Sequence, residues 1–201
     1  MVKNNRTYET NKSLQGKFLI SSPTILDNRF TKSAILITSH NSTGATGIIV
    51  NKPSAYQFNH IINSVIANFN EKDINLTDEK ISIVLGGPAN PSNLFVLHSA
   101  EYLQATSVKV TNDIYMTNQP STILDLAKGV GPKKAIIAIG CAAWQAGQLE
   151  KELSSDSWFL YDPSFEDIFN PRPNKIYEEM FILLGIPNTN QAFFVSNTYK
   201  T

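Results

Sequence analysis

The chain predicts an α+β fold, and three observations lead there. Apolar strand-like runs arrive in pairs and threes separated by turn residues, as at 34–38 and 45–50, or 81–85 and 93–98. Helical periodicity interrupts them at intervals, most clearly at Phe58, Ile61, Ile62, Val65, Ile66 and Phe69, spaced i, i+3, i+4, i+7, i+8, i+11. The strict strand–helix alternation of a doubly wound sheet is missing.

Residues 1–12 are polar and read as a disordered N-terminal tail; 13–201 read as a single domain. Within it, 17–20 is a short buried strand stopped by Ser21-Ser22-Pro23. The strands 34–38 and 45–50 flank His40-Asn41-Ser42-Thr43-Gly44, a polar loop short enough for a hairpin, with Gly44 free to take positive φ. The helix at 58–69 leaves His60 off its apolar stripe, and 70–80 is a polar connection. The strand 81–85 runs into Gly86-Gly87-Pro88, read as a sharp turn, and 93–98 is the next strand. Val108, Val110, Ile114 and Met116 alternate with polar residues around Asn112-Asp113, as in a half-exposed hairpin. Pro120 opens a helix carrying Ile123, Leu124 and Ala127.

The strand 135–139 leads into the most unusual stretch, the junction from Gly140 to Glu150, read as a polar turn region with two glycines, Trp144, Gln148 and Glu150. A short helix at 147–153 buries Leu149 and Leu153, and 158–161 is a strand. Asp162-Pro163 is expected to cap a short helix with Phe165, Ile168 and Phe169. Asn174 is expected to cap the last helix, which buries Ile176, Met180, Leu183 and Leu184 and ends at Gly185-Ile186-Pro187.

Composition narrows the function classes. A chain of 201 residues buries roughly 70 % of its unfolded surface, so no staples are required. Lys+Arg and Asp+Glu number 17 each, so nothing steers the molecule toward polyanions or anionic membrane. Cys141 is the single cysteine, which forbids an intrachain disulfide and fits a reducing cytoplasm. With three scattered histidines beside it, no metal and no cofactor is expected. The N-terminus lacks the apolar core of a secretory signal, and no apolar run approaches the roughly 20 residues of a membrane span.

The standard phosphate-loop, nucleophile-elbow, zinc-protease and EF-hand patterns are absent from the sequence. Cys141 after a strand could be a nucleophile, but a lone cysteine is more often a small buried apolar residue. His40 and His98 end strands and could form an acid–base or metal pair; tying down loop backbone is the favoured role. The Gly86-Gly87-Pro88 segment could offer N–H groups to an anion, although Pro88 removes one, and a turn is preferred. Trp144 and Gln148 at a helix start could floor a small-molecule site, against the preferred view that Trp144 plugs the core.

Several segments carry a family pattern. They are Leu14-x-Gly16-x-Phe18-Leu19-Ile20, Pro23 with Leu26-Asp27 and Phe30, His40-Asn41-x-x-Gly44-Ala45-x-Gly47, Asn51-Lys52-Pro53, Gly86-Gly87-Pro88 and Leu97-His98. Gly131-Pro132, Gly140-x-Ala142-x-Trp144-x-x-Gly147-Gln148-Leu149-Glu150, Trp158 and Phe169 follow. In order and number they resemble the AlgH/YqgE family of bacterial proteins. Cys141 stands where the family pattern has Tyr, Ala143 where it has Gly, and Ala89 where Val is usual, so no family chemistry can depend on a cysteine at 141. The resemblance implies a bifurcated mixed sheet curled into a partial barrel with helices packed outside, and a cytoplasmic location. It supplies no reaction. Some members carry the label of transcriptional regulator, yet no helix-turn-helix with a basic second helix occurs here.

The expectation is a regulatory or accessory protein that is not an enzyme and has no catalytic residues. It would present a polar cleft of His40, Asn41, Gly44, Asn51, Gly86, Gly87, His98, Trp144, Gln148 and Glu150 to a protein or small-molecule partner. The alternative is a hydrolase using His40 or His98 with Glu150; direct nucleic-acid binding, as a transcriptional regulator, comes third and is not expected.

Overall fold

The structure, a computed structural model, describes residues 12–69 and 81–185. Of the tail read at 1–12, residues 1–11 lie outside the described residues, as do the 70–80 connection and Ile186-Pro187 of the expected helix stop.

Among the described residues the elements run β1 (Phe18–Ser21), β2 (Ala34–Asn41), β3 (Gly44–Ile49), α1 (Phe58–Phe69), β4 (Ser82–Leu85), β5 (Ala89–Ser99), β6 (Val108–Lys109), β7 (Ile114–Thr117), α2 (Pro120–Ala127), β8 (Ala135–Gln145), α3 (Gln148–Ser154), β9 (Trp158–Tyr161), α4 (Phe165–Ile168) and α5 (Pro173–Leu183). The sheet order is β6-β7-β5-β8-β3-β2-β1-β9, with β4 also on β8. The fold is α+β, as the strand and helix pattern predicts, and the sheet is the half-barrel that the family resemblance implies, mostly antiparallel and bifurcated at one point.

That point lies within β8. Its first half, Ile136 to Ile139, has β4 parallel on one edge and β5 antiparallel on the other. Its second half, Ala142 to Gln145, pairs with β3 instead. The pairing changes at Gly140, whose φ of +71° bends the strand. Gly86 and Gly87 then carry the chain from β4 across β8 to β5. A Cβ on Gly86 would lie 2.3 Å from the Gly140 carbonyl oxygen, and one on Gly87 2.3 Å from the Cys141 carbonyl carbon. The segment read as a sharp turn is therefore a backbone crossing that only glycine permits.

The stretch 140–150 is likewise not a turn region over most of its length. β8 continues to Gln145, because β3 offers Ala142 to Gln145 a new ladder. The period-2 pattern is visible in the residues: Ala142 and Trp144 are buried, while Ala143 and Gln145 are exposed.

Alternation along the strands builds three apolar clusters. Phe18, Ile20, Leu36 and Ile48 point into the curl, where Ile168 of α4 and Ile176, Met180 and Phe181 of α5 close over them. Leu19, Ile35 and Ile37 point the other way, toward Leu149 and Leu153 of α3 and both tryptophans. Ile61, Ile62 and Val65 of α1 pack with Ile123, Leu124 and Leu126 of α2 against β4, β5 and β8. Each fully buried side chain of this size contributes about 1.5–3 kcal/mol. The two ends of the sheet approach through Gln15, whose Nε2 donates to the carbonyls of Lys109 (2.9 Å) and Val110 (3.2 Å).

Two helix starts differ from expectation. Ser164, not Asp162, caps α4, in a reciprocal box with Asp167. α5 begins at Pro173 with no side-chain cap, so Asn174 sits inside the first turn. From that start the buried stripe is Ile176, Met180 and Phe181, and Leu183 is turned outward, 62 % exposed.

Candidate functional site

The β2–β3 hairpin turns on Ser42-Thr43, with Asn41 Oδ1 accepting from the Thr43 N–H (2.8 Å) and hydroxyl (2.6 Å). Gly44 closes it against β8: a Cβ there would be 2.3 Å from the Trp144 carbonyl oxygen. The register sets His40 opposite Ala45, and Ala45 opposite Trp144. The hairpin tip thus lies beside the end of β8 and the start of α3.

His40 joins these parts. Its Nδ1 accepts from the Leu14 backbone N–H at 3.1 Å, which fixes the proton of the neutral ring on Nε2. Nε2–H donates to Glu150 Oε1 at 2.9 Å. The His40 side chain is 9 % exposed and that of Glu150 36 %. The Glu150 carboxyl is held below its usual value, first by its own backbone N–H and then by His40, against an opposing desolvation. The ring is held by a backbone donor and a carboxylate, and its one lone pair is taken by the Leu14 N–H, so no free nitrogen is left to act as a general base.

Behind it lies a cluster that the sequence did not reveal. Glu152 Oε2 accepts from Trp144 Nε1 (2.9 Å) and Trp158 Nε1 (2.7 Å), and its Oε1 accepts from Gln148 Nε2 (2.8 Å). Gln148 Oε1 in turn accepts the Gln145 backbone N–H (3.0 Å). The indoles meet edge to face at 6.1 Å, and Phe30 stacks on Trp144. Trp144 is 6 % exposed. The available signal was Glu152 four residues beyond Gln148 on one helix face, but nothing local pointed to Trp158 across the next loop.

The other expected cleft residues are placed as follows. Gly86 and Gly87 adjoin Gly140 and Cys141 at the crossing. Asn51 is buried; its Oδ1 accepts from the Ala34 N–H and its Nδ2 donates to the Lys32 carbonyl. Cys141 is buried, and burial pushes its thiol up, away from a reactive thiolate. His98 pairs with Ala135 at the far end of β8, nine residues and roughly 30 Å along the strand from Trp144. The structure brings His40 to Glu150 and leaves His98 apart from both. An open groove of about 350 Å³ between Tyr56, Phe58, Ile83 and Pro173 is lined by none of the ten cleft residues.

His98 is fully buried between Tyr102 and Tyr115, with Nδ1–H donating to the Ser99 carbonyl (3.0 Å) and Nε2 accepting from Ser107 Oγ (3.3 Å). Desolvation lowers its pKa, which the Ser99 carbonyl and Glu101 only partly offset. The unfolded chain therefore takes the proton first. Stability from this group is complete above the unfolded value, about 6.5, and falls as pH drops toward the folded value. Urea midpoints for the wild type and His98→Gln, measured through that window, should converge on acidification; parallel curves would contradict this.

No group of three His, Cys, Asp or Glu placed to hold a metal ion occurs among the described residues. Chelator treatment should leave the melting temperature unchanged, and a drop would reveal a structural metal. Among the described residues no helix is long and apolar enough to cross a membrane.

The split sheet, the glycine crossing and the hairpin locked to the β8–α3 junction define an α+β half-barrel protein with a polar junction at one end. The chain belongs to the AlgH-like family, whose model matches residues 18–189. It is 32% identical over 181 residues to a UPF0301 protein of Xanthomonas campestris pv. campestris (strain B100), covering 85% of this chain and 93% of that one. A UPF0301 protein of Stenotrophomonas maltophilia (strain K279a) is 33% identical over 160 residues, covering 80% and 83%. The solution structure of the AlgH protein from Pseudomonas aeruginosa superposes with a TM-score of 0.74 at 25% identity, covering 96% of this chain and 97% of that one. A Corynebacterium diphtheriae protein shares the fold at a TM-score of 0.66 and 20% identity, over 90% and 92% of the two chains.

Proposed function

We propose that this chain is a non-enzymatic protein of regulatory or accessory type that acts in the cytoplasm through surface contacts with a partner. One observation carries this reading: the polar groups of the junction are bonded to one another. His40 has both ring nitrogens engaged, Glu152 receives three donors, and Gln148 uses both ends of its amide. Such groups rigidify a fold, whereas a reaction site keeps donors and acceptors facing a substrate position. The balanced charge of the chain speaks against the transcriptional-regulator alternative, in which a basic face would meet phosphates.

The hydrolase alternative keeps one point in its favour, the 2.9 Å His40–Glu150 contact. A panel of ester, phosphomonoester and peptide substrates separates the two. The accessory reading expects rates for wild type, His40→Gln and Glu150→Gln equal to buffer. A wild-type rate that vanishes in both variants at unchanged melting temperature would replace this reading with the hydrolase.

A further inference from the structure

Residues 13–16 lead into β1 and are tied to the rest of the molecule at several points. Ser13 Oγ donates to the His40 carbonyl (3.1 Å), the Leu14 N–H to His40 Nδ1 (3.1 Å), and the Gly16 N–H to the Ile37 carbonyl (2.8 Å). Gln15, between them, reaches the Lys109 and Val110 carbonyls and draws the two ends of the sheet together. One of these ties depends on a protonation state. Neutral His40 offers Nδ1 a lone pair for Leu14, whereas the imidazolium carries an N–H on both nitrogens and has no acceptor. Leu14 N–H and Nδ1–H would then face each other as two donors.

An unrestrained ring would swing away and relieve that clash. Glu150 prevents this, because protonation turns the Nε2–Oε1 contact into a charge-assisted bond on a nearly buried ring. Glu150 is the titratable group facing His40 from α3; β3 presents Ala45 across the ladder; the lead-in segment presents Ser13 and Leu14, with Lys12 the nearest charge along it. We infer that His40 is a proton-operated latch on the lead-in segment: on protonation the ring stays on Glu150, expels the Leu14 N–H, and loosens the Gln15 clasp that closes the half-barrel. The inference does not depend on whether the protein is an accessory factor or a hydrolase.

An NMR pH titration of the full chain tests it, following the His40 ring together with hydrogen exchange at the Leu14 and Gln15 amides. Leu14 protection should fall about tenfold, the scale of one net hydrogen bond, with the midpoint of the His40 ring. Glu150→Gln removes the anionic partner, and the Leu14 amide midpoint should move together with the ring midpoint. His40→Asn, whose Oδ1 stands near the Nδ1 position, should keep Leu14 protected at every pH. Leu14 protection that is constant through the His40 titration overturns the latch, as does a Glu150→Gln variant that shifts the ring midpoint without the amide midpoint. The wild-type and Glu150→Gln arms decide the matter even if His40→Asn fails to fold.

Discussion

Gly87→Ala is expected to abolish the folded state. At φ +148° the position favours glycine, and the added Cβ would stand 2.3 Å from the Cys141 carbonyl carbon and 2.4 Å from the Ala142 nitrogen. These are backbone atoms of β8, the strand on which β3, β4 and β5 all pair, so neither side can yield without breaking a ladder. The cost exceeds about 4–5 kcal/mol, comparable with the whole stability of a typical domain. Circular dichroism and soluble yield are the readouts. Gly147→Ala is the contrast: φ is +72°, but a Cβ meets nothing within 4 Å, so only backbone strain of about 1–2 kcal/mol is expected. A Gly87→Ala protein no less stable than Gly147→Ala would refute the crossing as the keystone of the sheet.

Trp144→Ala should cost about 3–5 kcal/mol, as for other buried aromatic truncations. The ring fills the space between Phe30 and Trp158, and its N–H is one of three donors on Glu152. Removing it opens a cavity and leaves a carboxylate with fewer partners, so the two losses compound. Trp144→Phe keeps most of the volume and should lose less. Denaturant melts beside a partner-capture assay decide between plug and ligand floor. A folded Trp144→Ala of near wild-type stability that no longer captures its partner would make the junction a binding surface.

The residues made much of this legible. Strand runs, the α1 stripe and Pro120 at a helix start were local signals, and local physics kept them. The junction reads as a turn from sequence because Gly140 and Gly147 look like punctuation; whether Ala142 to Gln145 forms a strand depends on β3, nearly a hundred residues earlier. Gly86-Gly87-Pro88 looked like a turn for the same reason, since a crossing needs knowledge of what is crossed. Residue type alone offers His40 and Glu150 as a pair, and the structure places them in contact. Leu14 as the third member was invisible, because its contribution is a backbone N–H. Glu152 is hidden in the sequence because a glutamate on a short helix reads as solvated; only the fold brings two indoles over it.

If the junction's polar groups serve the fold, His40–Glu150 is where structural and catalytic roles predict opposite results. A double-mutant cycle on thermal stability with His40→Gln, Glu150→Ala and the double variant measures their coupling directly. The structural role predicts a favourable coupling of about 0.5 kcal/mol, near the low end for a hydrogen bond because Glu150 is partly exposed. A coupling of zero, with Glu150→Ala as stable as the wild type or more so, would contradict it. That result would mark a pair held in place for chemistry at the expense of stability.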